Sequence, residues 1–378
     1  MRIIPFLFIF CLLFGCGSGK QKEEPENVSK SGPVEIVIKY SQNFSISNYK
    51  GYKILNVQKN GSKQKYVLYK KCDQKPEIND SKAIFVQTPV TKAACLSSLY
   101  VGFLDRLNET EKIIAIDNID YIKNKTINEK VVAGKVAQLA IVGKLNEEMT
   151  LAISPELVIN YGSGNIQSDR NEKLYNAGIP IVYCLDHFEN TPLGRAEWIK
   201  FIACFFGKET LADSLFTETE TNYLNLRAEA AKATEKPTVL TELKLNDAWY
   251  VPGGKSFMSI LIQDANAHYC WEKDTATGSL PLSFEQVYKV ASGSDYWLNV
   301  LYTKSKKDLL KLDKRYGDFN AFKKDALYNN DLQMTEKGGN AYWETGLICP
   351  DLILLDLIKI FHPQLYKDRE FTYYRKLE

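Results

Sequence analysis

The pattern of apolar positions is most regular in the middle of the chain. Residues 179–185 form a continuous apolar run, which is typical of a strand buried on both faces of a parallel sheet. Apolar residues then recur at helical spacing over 191–207, where Thr-Pro suits a helix start and Gly a helix end. A longer helix is predicted over 209–234, because no Gly or Pro interrupts its helix formers, and a new strand begins at 238–240.

Strands and helices alternate on both sides of this central segment. Predicted strands at 90–96, 113–116 and 157–159 precede it, predicted strands at 239–243 and 297–301 follow it, and helical stretches separate them. Alternation of this kind is typical of βαβ units, whose strands are parallel. The sequence therefore predicts an α/β protein of two Rossmann-like lobes with parallel central sheets, joined by a single long backbone helix.

The same pattern predicts the domain boundaries. Residues 34–190 form the N-terminal α/β lobe, which begins with an antiparallel addition that includes a hairpin at Asn60-Gly61. Residues 191–236 are the connecting helices, and residues 237–378 are the C-terminal α/β lobe.

The first 33 residues have the pattern of an export signal. A basic residue precedes an apolar run over 3–14 that is too short to span a bilayer, so residues 1–15 are predicted to be a signal peptide. The small residue before Cys16 makes this stretch similar to a lipobox, in which Cys16 is acylated. Residues 16–33 are then a flexible tether, because they are polar and lack an apolar period. We expect an exported protein held by lipid in the periplasm or cell envelope, with the inner or outer membrane left open.

Composition and charge exclude several classes of protein. The 378 residues are 45% hydrophobic and 25% charged with a net charge of +2, so a polyanionic partner such as nucleic acid is not expected. After Cys16 no apolar run is long enough to cross a membrane. Six of the eight cysteines follow Cys16, and their spacing matches neither a disulfide framework nor a zinc site, so buried free thiols are expected.

Catalytic and metal-binding motifs are missing from the sequence. It contains no GxSxG, P-loop, HExxH or GxGxxG motif. The three histidines are far apart in sequence, which disfavours a bound metal ion: His187, His268 and His362. An exported hydrolase that uses Asp186, Glu189 or Glu197 stays open as an alternative, since paired carboxylates can act as acid and base.

Four groups of residues carry a resemblance to a known family. They are PLGRAEWI at 192–199, residues 134–136 with 151–159, residues 251–258, and residues 341–344 with 350–354. In this order and spacing the chain, from about residue 40 to 365, resembles the class III, TroA-like substrate-binding proteins of ABC importers for iron-siderophore complexes or cobalamin.

The resemblance implies a monomeric binding protein without enzymatic activity or a resident cofactor. It would capture an iron complex, as siderophore or haem, or cobalamin between the lobes and deliver it to a dimeric ABC permease. A surface-exposed lipoprotein that works with an outer-membrane transporter is the second possibility of the binding class.

The expected ligand contacts follow predicted strands or lie in adjacent loops. Aromatic rings supply broad apolar contact with a polar edge, which suits a macrocycle or a catecholate, and an arginine can pair with an anionic ligand. The candidate contact residues are Ser98, Tyr100, Tyr161, Ser163, His187, Arg195, Trp249, Tyr250, Tyr342 and Trp343.

Two glutamates are candidates for permease docking. In the family that the chain resembles, one glutamate on each lobe meets arginines of the permease, and the matching positions here are Glu148 and Glu285. Each is predicted near a helix N-terminus, where the helix dipole alone would also favour a carboxylate.

Overall fold

The computed structural model describes residues 33–141, 144–301 and 303–378. The predicted signal peptide, the lipidation site Cys16 and the tether up to residue 32 lie outside this part of the chain. Within the described ranges no helix is long and apolar enough to cross a membrane.

The first lobe comprises the elements up to residue 184. Its strands are β1 (Val34–Glu35), β2 (Phe44–Tyr49), β3 (Tyr52–Lys59), β4 (Ser62–Lys70), β5 (Ile84–Thr88), β6 (Ala93–Cys95), β7 (Ile113–Ile116), β8 (Ala137–Gln138), β9 (Ala140–Ile141), β10 (Lys144–Leu145), β11 (Leu157–Tyr161) and β12 (Ile181–Cys184). Its helices are α1 (Ser98–Arg106), α2 (Lys125–Val132), α3 (Glu147–Ile153), α4 (Ile166–Asp169) and α5 (Glu172–Asn176).

The second lobe follows three connecting helices. These are α6 (Pro192–Ala196), α7 (Trp198–Phe206) and α8 (Glu209–Ala230). The strands beyond them are β13 (Thr238–Thr241), β14 (Lys244–Leu245), β15 (Ala248–Pro252), β16 (His268–Tyr269), β17 (Ser279–Leu282), β18 (Tyr296–Leu298), β19 (Leu327–Asn329) and β20 (Arg375–Lys376). The helices are α9 (Phe257–Asp264), α10 (Phe284–Ala291), α11 (Lys306–Leu312), α12 (Asn320–Lys323) and α13 (Pro350–Phe361).

The first lobe contains a parallel sheet of five strands in the order β12-β11-β6-β7-β8. The chain therefore runs outward from β6 through β7 to β8, then crosses to the other side of β6 to form β11 and β12. The strand order reverses between β6 and β11, and ligands of doubly wound sheets bind at the carboxyl ends beside such a reversal. The predicted parallel sheet is confirmed.

The N-terminal strands form a separate sheet in the order β1-β2-β3-β4-β5, antiparallel except for the β4–β5 pair. Asn60 and Gly61 both have positive φ values, of 47° and 79°, which is the geometry that a two-residue hairpin turn needs. The predicted hairpin is confirmed. Phe44 packs edge-on against Trp198 of α7, with ring centroids 4.8 Å apart, so this sheet lies on the connecting helices.

Two helix boundaries of the connecting segment lie at the residues that the pattern indicates. The Thr191 side chain accepts the Gly194 N–H at 3.0 Å as an N-cap, and Gly207 closes α7 with a left-handed φ of 67°. Helix α8 ends at Ala230, four residues before the predicted end, and its 22 residues span roughly 33 Å. It packs against α13 of the second lobe.

The second lobe contains a sheet in the order β16-β13-β18-β19-β20, parallel except for the β19–β20 pair. The chain runs from β13 outward to β16 and then crosses to β18 and β19, so the order reverses between β13 and β18. A small antiparallel sheet, β14-β15-β17, covers part of this lobe. Each lobe thus has one reversal point, where the fold favours a ligand site.

Candidate ligand-binding site

The residues that follow the strands at the two reversal points define the candidate site. In the first lobe Ser97 and Ser98 follow β6, and Tyr161 ends β11. In the second lobe Glu242 follows β13 and Asn299 follows β18. Because the strands of each pair are parallel neighbours, their final residues meet at the same sheet edge.

Asp186, Tyr100 and Arg195 form the centre of the first lobe's side. The Asp186 side chain is buried and accepts the Tyr100 hydroxyl at 3.1 Å. Arg195 donates from Nε to the Asp186 carbonyl at 3.2 Å and from an Nη to the His187 carbonyl at 3.0 Å. Burial raises the pKa of Asp186, although Arg195 and His187 oppose that shift.

Arg195 also connects this group to the second lobe. Its guanidinium lies over the ring of Phe257, the first residue of α9, at 4.5 Å from the centroid. Met258 is the next residue of α9. Its Sδ atom lies 4.0 Å from the Tyr342 hydroxyl and 3.8 Å from Asn299 Nδ2. Burial raises the pKa of the Tyr342 hydroxyl; the Glu242 carboxylate adds to that shift and the Arg195 guanidinium opposes it.

Glu242 and Asn299 are functional candidates that the sequence reasoning missed. Both have left-handed backbone conformations, with φ of 64° and 59°; Asn adopts this conformation readily, whereas for Glu it is uncommon. Asn299 Nδ2 donates to Glu242 Oε1 at 3.3 Å, and the Tyr374 hydroxyl donates to Asn299 Oδ1 at 3.1 Å. Burial raises the pKa of Glu242 to about 7, and the Asn299 hydrogen bond opposes that shift.

A π-helical turn, Tyr342–Gly346, packs directly on α1 of the first lobe. The Glu344 carboxylate accepts the Lys123 N–H at 2.6 Å. A Cβ added at Gly102 would lie 2.9 Å from the Glu344 carbonyl carbon and closer still to its oxygen. The lobes are therefore in close contact on this side of Tyr342.

The predicted contact residues of the first lobe differ in exposure. Some are exposed at the edge of the candidate site, which we call the rim, and others lie in its interior. Tyr161, Ser163 and His187 are exposed, and the Tyr161 ring meets the His187 ring edge-on at 6.5 Å. Partial desolvation of the ring lowers the pKa of His187, which favours its neutral form at pH 7. Ser98 is half-buried at the start of α1, whereas Tyr100 is buried and reaches the site only through its hydroxyl.

The predicted contacts of the second lobe include one core residue. Trp249 is fully buried in β15, stacks 5.6 Å from Trp297, and donates from Nε1 to the Thr241 carbonyl at 3.0 Å. It was expected in a loop, but it belongs to the lobe's core and leaves no surface for a ligand. Tyr250, the next residue on the strand, is exposed on the opposite face.

Tyr342 and Trp343 differ in exposure although they are adjacent. Tyr342 is 2% exposed and Trp343 is 49% exposed, with their rings edge-on at 4.8 Å. Trp343 is therefore the second lobe's rim aromatic, and Tyr342 is an interior group of the site.

The carboxylates of the hydrolase alternative have structural partners. Glu197 accepts the backbone N–H groups of Lys39, Tyr40 and Ser41 at 2.8–3.0 Å. Glu189 accepts the Trp198 indole N–H at 3.1 Å and the N–H groups of residues 42–43. Both side chains thus hold the segment 39–43 to the connecting helices and are not paired across a cleft. In the described part of the chain, no group of three or more His, Cys, Asp or Glu could hold a metal ion.

The two docking candidates are exposed first-turn residues of helices. Glu148 lies in α3 and accepts Lys173 Nζ at 2.5 Å, and Glu285 lies in α10 and accepts an Arg315 Nη at 3.2 Å. The hydrogen bond from Lys173 lowers the pKa of Glu148, and the hydrogen bond from its own backbone N–H lowers the pKa of Glu285.

Comparison with known proteins identifies the fold and the family. The chain is 25% identical over 403 aligned positions to an uncharacterised lipoprotein of Methanocaldococcus jannaschii, covering 98% of this chain and 94% of the relative. It resembles the periplasmic heme-binding protein RhuT of Roseiflexus (18% identity, TM-score 0.53, covering 72% of this chain and 98% of that one). It also resembles the periplasmic vitamin B12 binding protein BtuF of Vibrio cholerae (12% identity, TM-score 0.52, covering 74% and 99%). Residues 94–332, more than half of the chain, match the periplasmic binding protein family, and the protein belongs to that family.

Proposed function

We propose that this protein captures an iron complex, as a ferric siderophore or haem, or cobalamin between its two lobes and delivers it to an ABC permease. The observation that carries the proposal is that each lobe has one strand-order reversal, β6/β11 and β13/β18, and that Arg195, which donates to the Asp186 carbonyl of the first lobe, packs on Phe257 of the second. Ligands of open parallel sheets bind at such points. Family membership supports a role in binding, and the carboxylates considered for catalysis have structural partners.

The rim residues support a large ligand with flat apolar surface. Tyr161 and Trp343 expose 61% and 49% of their surface, one on each lobe. Exposed aromatic rings beside buried polar groups suit a ligand with a broad apolar body and a few polar contacts.

Trp343 offers a direct assay for this proposal. Trp198, Trp249 and Trp297 are fully buried and Trp271 is partly buried, so contact quenching by a ligand at the rim should fall mainly on Trp343. The wild-type protein should show quenching and a thermal upshift with at least one of ferric siderophores, haem or cyanocobalamin. Trp343→Phe should lose most of the quenching and keep a thermal upshift. No quenching and no thermal shift with the whole panel would refute the proposed function.

Delivery to a permease is proposed to use Glu148 and Glu285. Both carboxylates are largely exposed, at 79% and 75% of their side-chain surface, so their present ion pairs can exchange for arginines of a partner. Charges at an interface rim mainly guide encounter and register. The Glu148→Ala, Glu285→Ala double variant should bind ligand normally but lose most uptake into cells.

A matched control keeps the docking test specific. Glu129 and Glu229 are also exposed glutamates in ion pairs, and their double Ala variant should retain uptake. Equal uptake by the docking variant and wild type would show that Glu148 and Glu285 only stabilise the N-termini of their helices.

Membrane anchoring is tested by a separate variant. Cys16→Ala should release the protein from the membrane or leave its precursor unprocessed.

A further inference from the structure

We infer that the ligand is a neutral or cationic complex rich in hydrogen-bond donors, and that Glu242 discriminates against polyanionic complexes. This inference rests on the proposed function and narrows its ligand class. It depends on the charge of the site, on the fixed position of Glu242, and on the hydrogen-bond partners that its carboxylate lacks.

The charged groups of the site leave Glu242 without a counter-ion. Asp186 and Arg195 lie together, since Arg195 donates to the Asp186 carbonyl and each affects the other's ionisation. Glu242, in contrast, has no ion pair among the residues that the structure describes. Its titratable neighbours are Tyr269, Tyr342 and Tyr374, which are neutral at pH 7. The ionised site therefore carries an excess negative charge on the second lobe's side.

The backbone of Glu242 is held in place on both sides. Its N–H donates to the Leu298 carbonyl at 3.0 Å, and its carbonyl accepts the Trp297 indole N–H at 2.8 Å. These bonds fix the left-handed conformation, with φ of 64°, which L-residues other than Gly rarely adopt. The Glu242 backbone is thus held in place at the end of β13 and is not part of a mobile loop.

The Glu242 side chain has unused capacity to accept hydrogen bonds. A carboxylate offers about four acceptor sites, and the single side-chain donor to Glu242 in the described chain is Asn299 Nδ2. Asn299 cannot turn its oxygen toward Glu242 without losing the Tyr374 hydroxyl, which donates to Oδ1. Tyr374 is held in turn by Asp356, which accepts its N–H at 3.0 Å. The remaining acceptor sites need donors from solvent or from a ligand.

These features separate the chemical classes of ligand. Ammonium, amide and hydroxyl groups, as on a hydroxamate chelate or the corrin periphery, supply the missing donors. Carboxylates of haem or the triply negative charge of a ferric tris-catecholate would place anions beside an unpaired carboxylate, which disfavours binding.

The test compares four probes on the full chain by isothermal titration. Ferrioxamine B is cationic, cyanocobalamin is amide-rich and without carboxylates, haem has two carboxylates, and ferric enterobactin has three negative charges. At pH 8 the wild-type protein should bind one of the first two at least tenfold more tightly than either of the last two. Glu242→Gln should weaken the preferred probe about tenfold and narrow the gap to the anions. Glu129→Gln, which removes an exposed carboxylate elsewhere, should leave the order of the four affinities unchanged.

The outcomes distinguish this inference from the proposed function. If haem or ferric enterobactin binds most tightly, the inference is overturned and the proposed function stands. The inference also fails if Glu242→Gln leaves every affinity unchanged. If none of the four binds, both fall. The order of the four affinities for the wild-type protein tests this inference even if the Glu242→Gln variant does not fold.

Discussion

Glu344 joins the two lobes and gives the most quantitative prediction. Its side chain is 2% exposed, accepts the Lys123 N–H of the first lobe, and has a pKa raised by burial from 4.5 to about 7. A shift of this size corresponds to roughly 3 kcal/mol between the protonated and ionised forms. Because the folded-state pKa lies above the unfolded value, the stabilising contribution is complete below pH 4.5 and is lost as pH rises through 7.

Replacing Glu344 by Gln should therefore have an effect that depends on pH. Glutamine keeps an oxygen for the Lys123 N–H and carries no charge. Glu344→Gln should match wild type in urea unfolding at pH 5 and be more stable by up to about 3 kcal/mol at pH 8.5.

An exposed glutamate provides the control for this experiment. Glu148 has a lowered pKa because Lys173 donates to it, so Glu148→Gln should not be stabilised at pH 8.5. Equal or lower stability of Glu344→Gln at pH 8.5 would refute the reasoning. It would show that the ionised carboxylate is compensated by partners that the contacts above do not include.

Three further predictions test other parts of the structure. Gly102→Ala should lower the melting temperature by several degrees, because the added methyl group clashes with the Glu344 backbone. Gly293→Ala is the control and should be nearly neutral, because a Cβ added there meets nothing within 4 Å. Equal effects of the two substitutions would contradict the close contact between the lobes. Ser283→Ala should destabilise the protein by about 1 kcal/mol in urea unfolding, since it removes the capping box of α10, and an unchanged midpoint would count against that cap. Affinity for whichever of ferrioxamine B and cyanocobalamin binds more tightly should rise between pH 6 and 8 as Glu242 ionises, and Glu242→Gln should abolish that rise; a pH-independent affinity of the wild-type protein would argue against ionisation at this residue.

The elements that the sequence predicted well are those with local signals. Thr191 and Gly207 bound their helices as expected, and Asn60-Gly61 forms the predicted hairpin turn. N-caps, left-handed glycines and apolar periodicity are properties of neighbouring residues, so one sequence is sufficient to find them.

Trp249 lies in a strand whose local sequence pattern predicts which side chains are buried. Residues of β15 alternate between buried and exposed, so Trp249 faces the core and Tyr250 faces outward. The order Trp-Tyr-Val has the period of two that predicts such a strand. Applied here, that period would have assigned Trp249 to the core and kept Tyr250 as a surface residue.

Glu242 and Asn299 could not be identified from any local sequence pattern. Each is a polar residue directly after an apolar strand, which many loops share. What distinguishes them is that β13 and β18 are neighbours although β16 lies between them in sequence, so the strand order reverses there. Strand order is a tertiary property, and the site at its reversal could be located only from the fold.

The close contact between the lobes determines where a ligand can lie. Helix α1 and the turn at Tyr342–Gly346 approach so closely at Gly102 that even a methyl group does not fit, so a ligand cannot insert on that side. Away from that contact, Arg195 lies over the Phe257 ring, Glu242 follows β13, and the Tyr161 and Trp343 rings are exposed. For the ligand proposed above, we therefore expect the exposed rings to hold its apolar body and the polar groups behind them to contact its polar or charged groups.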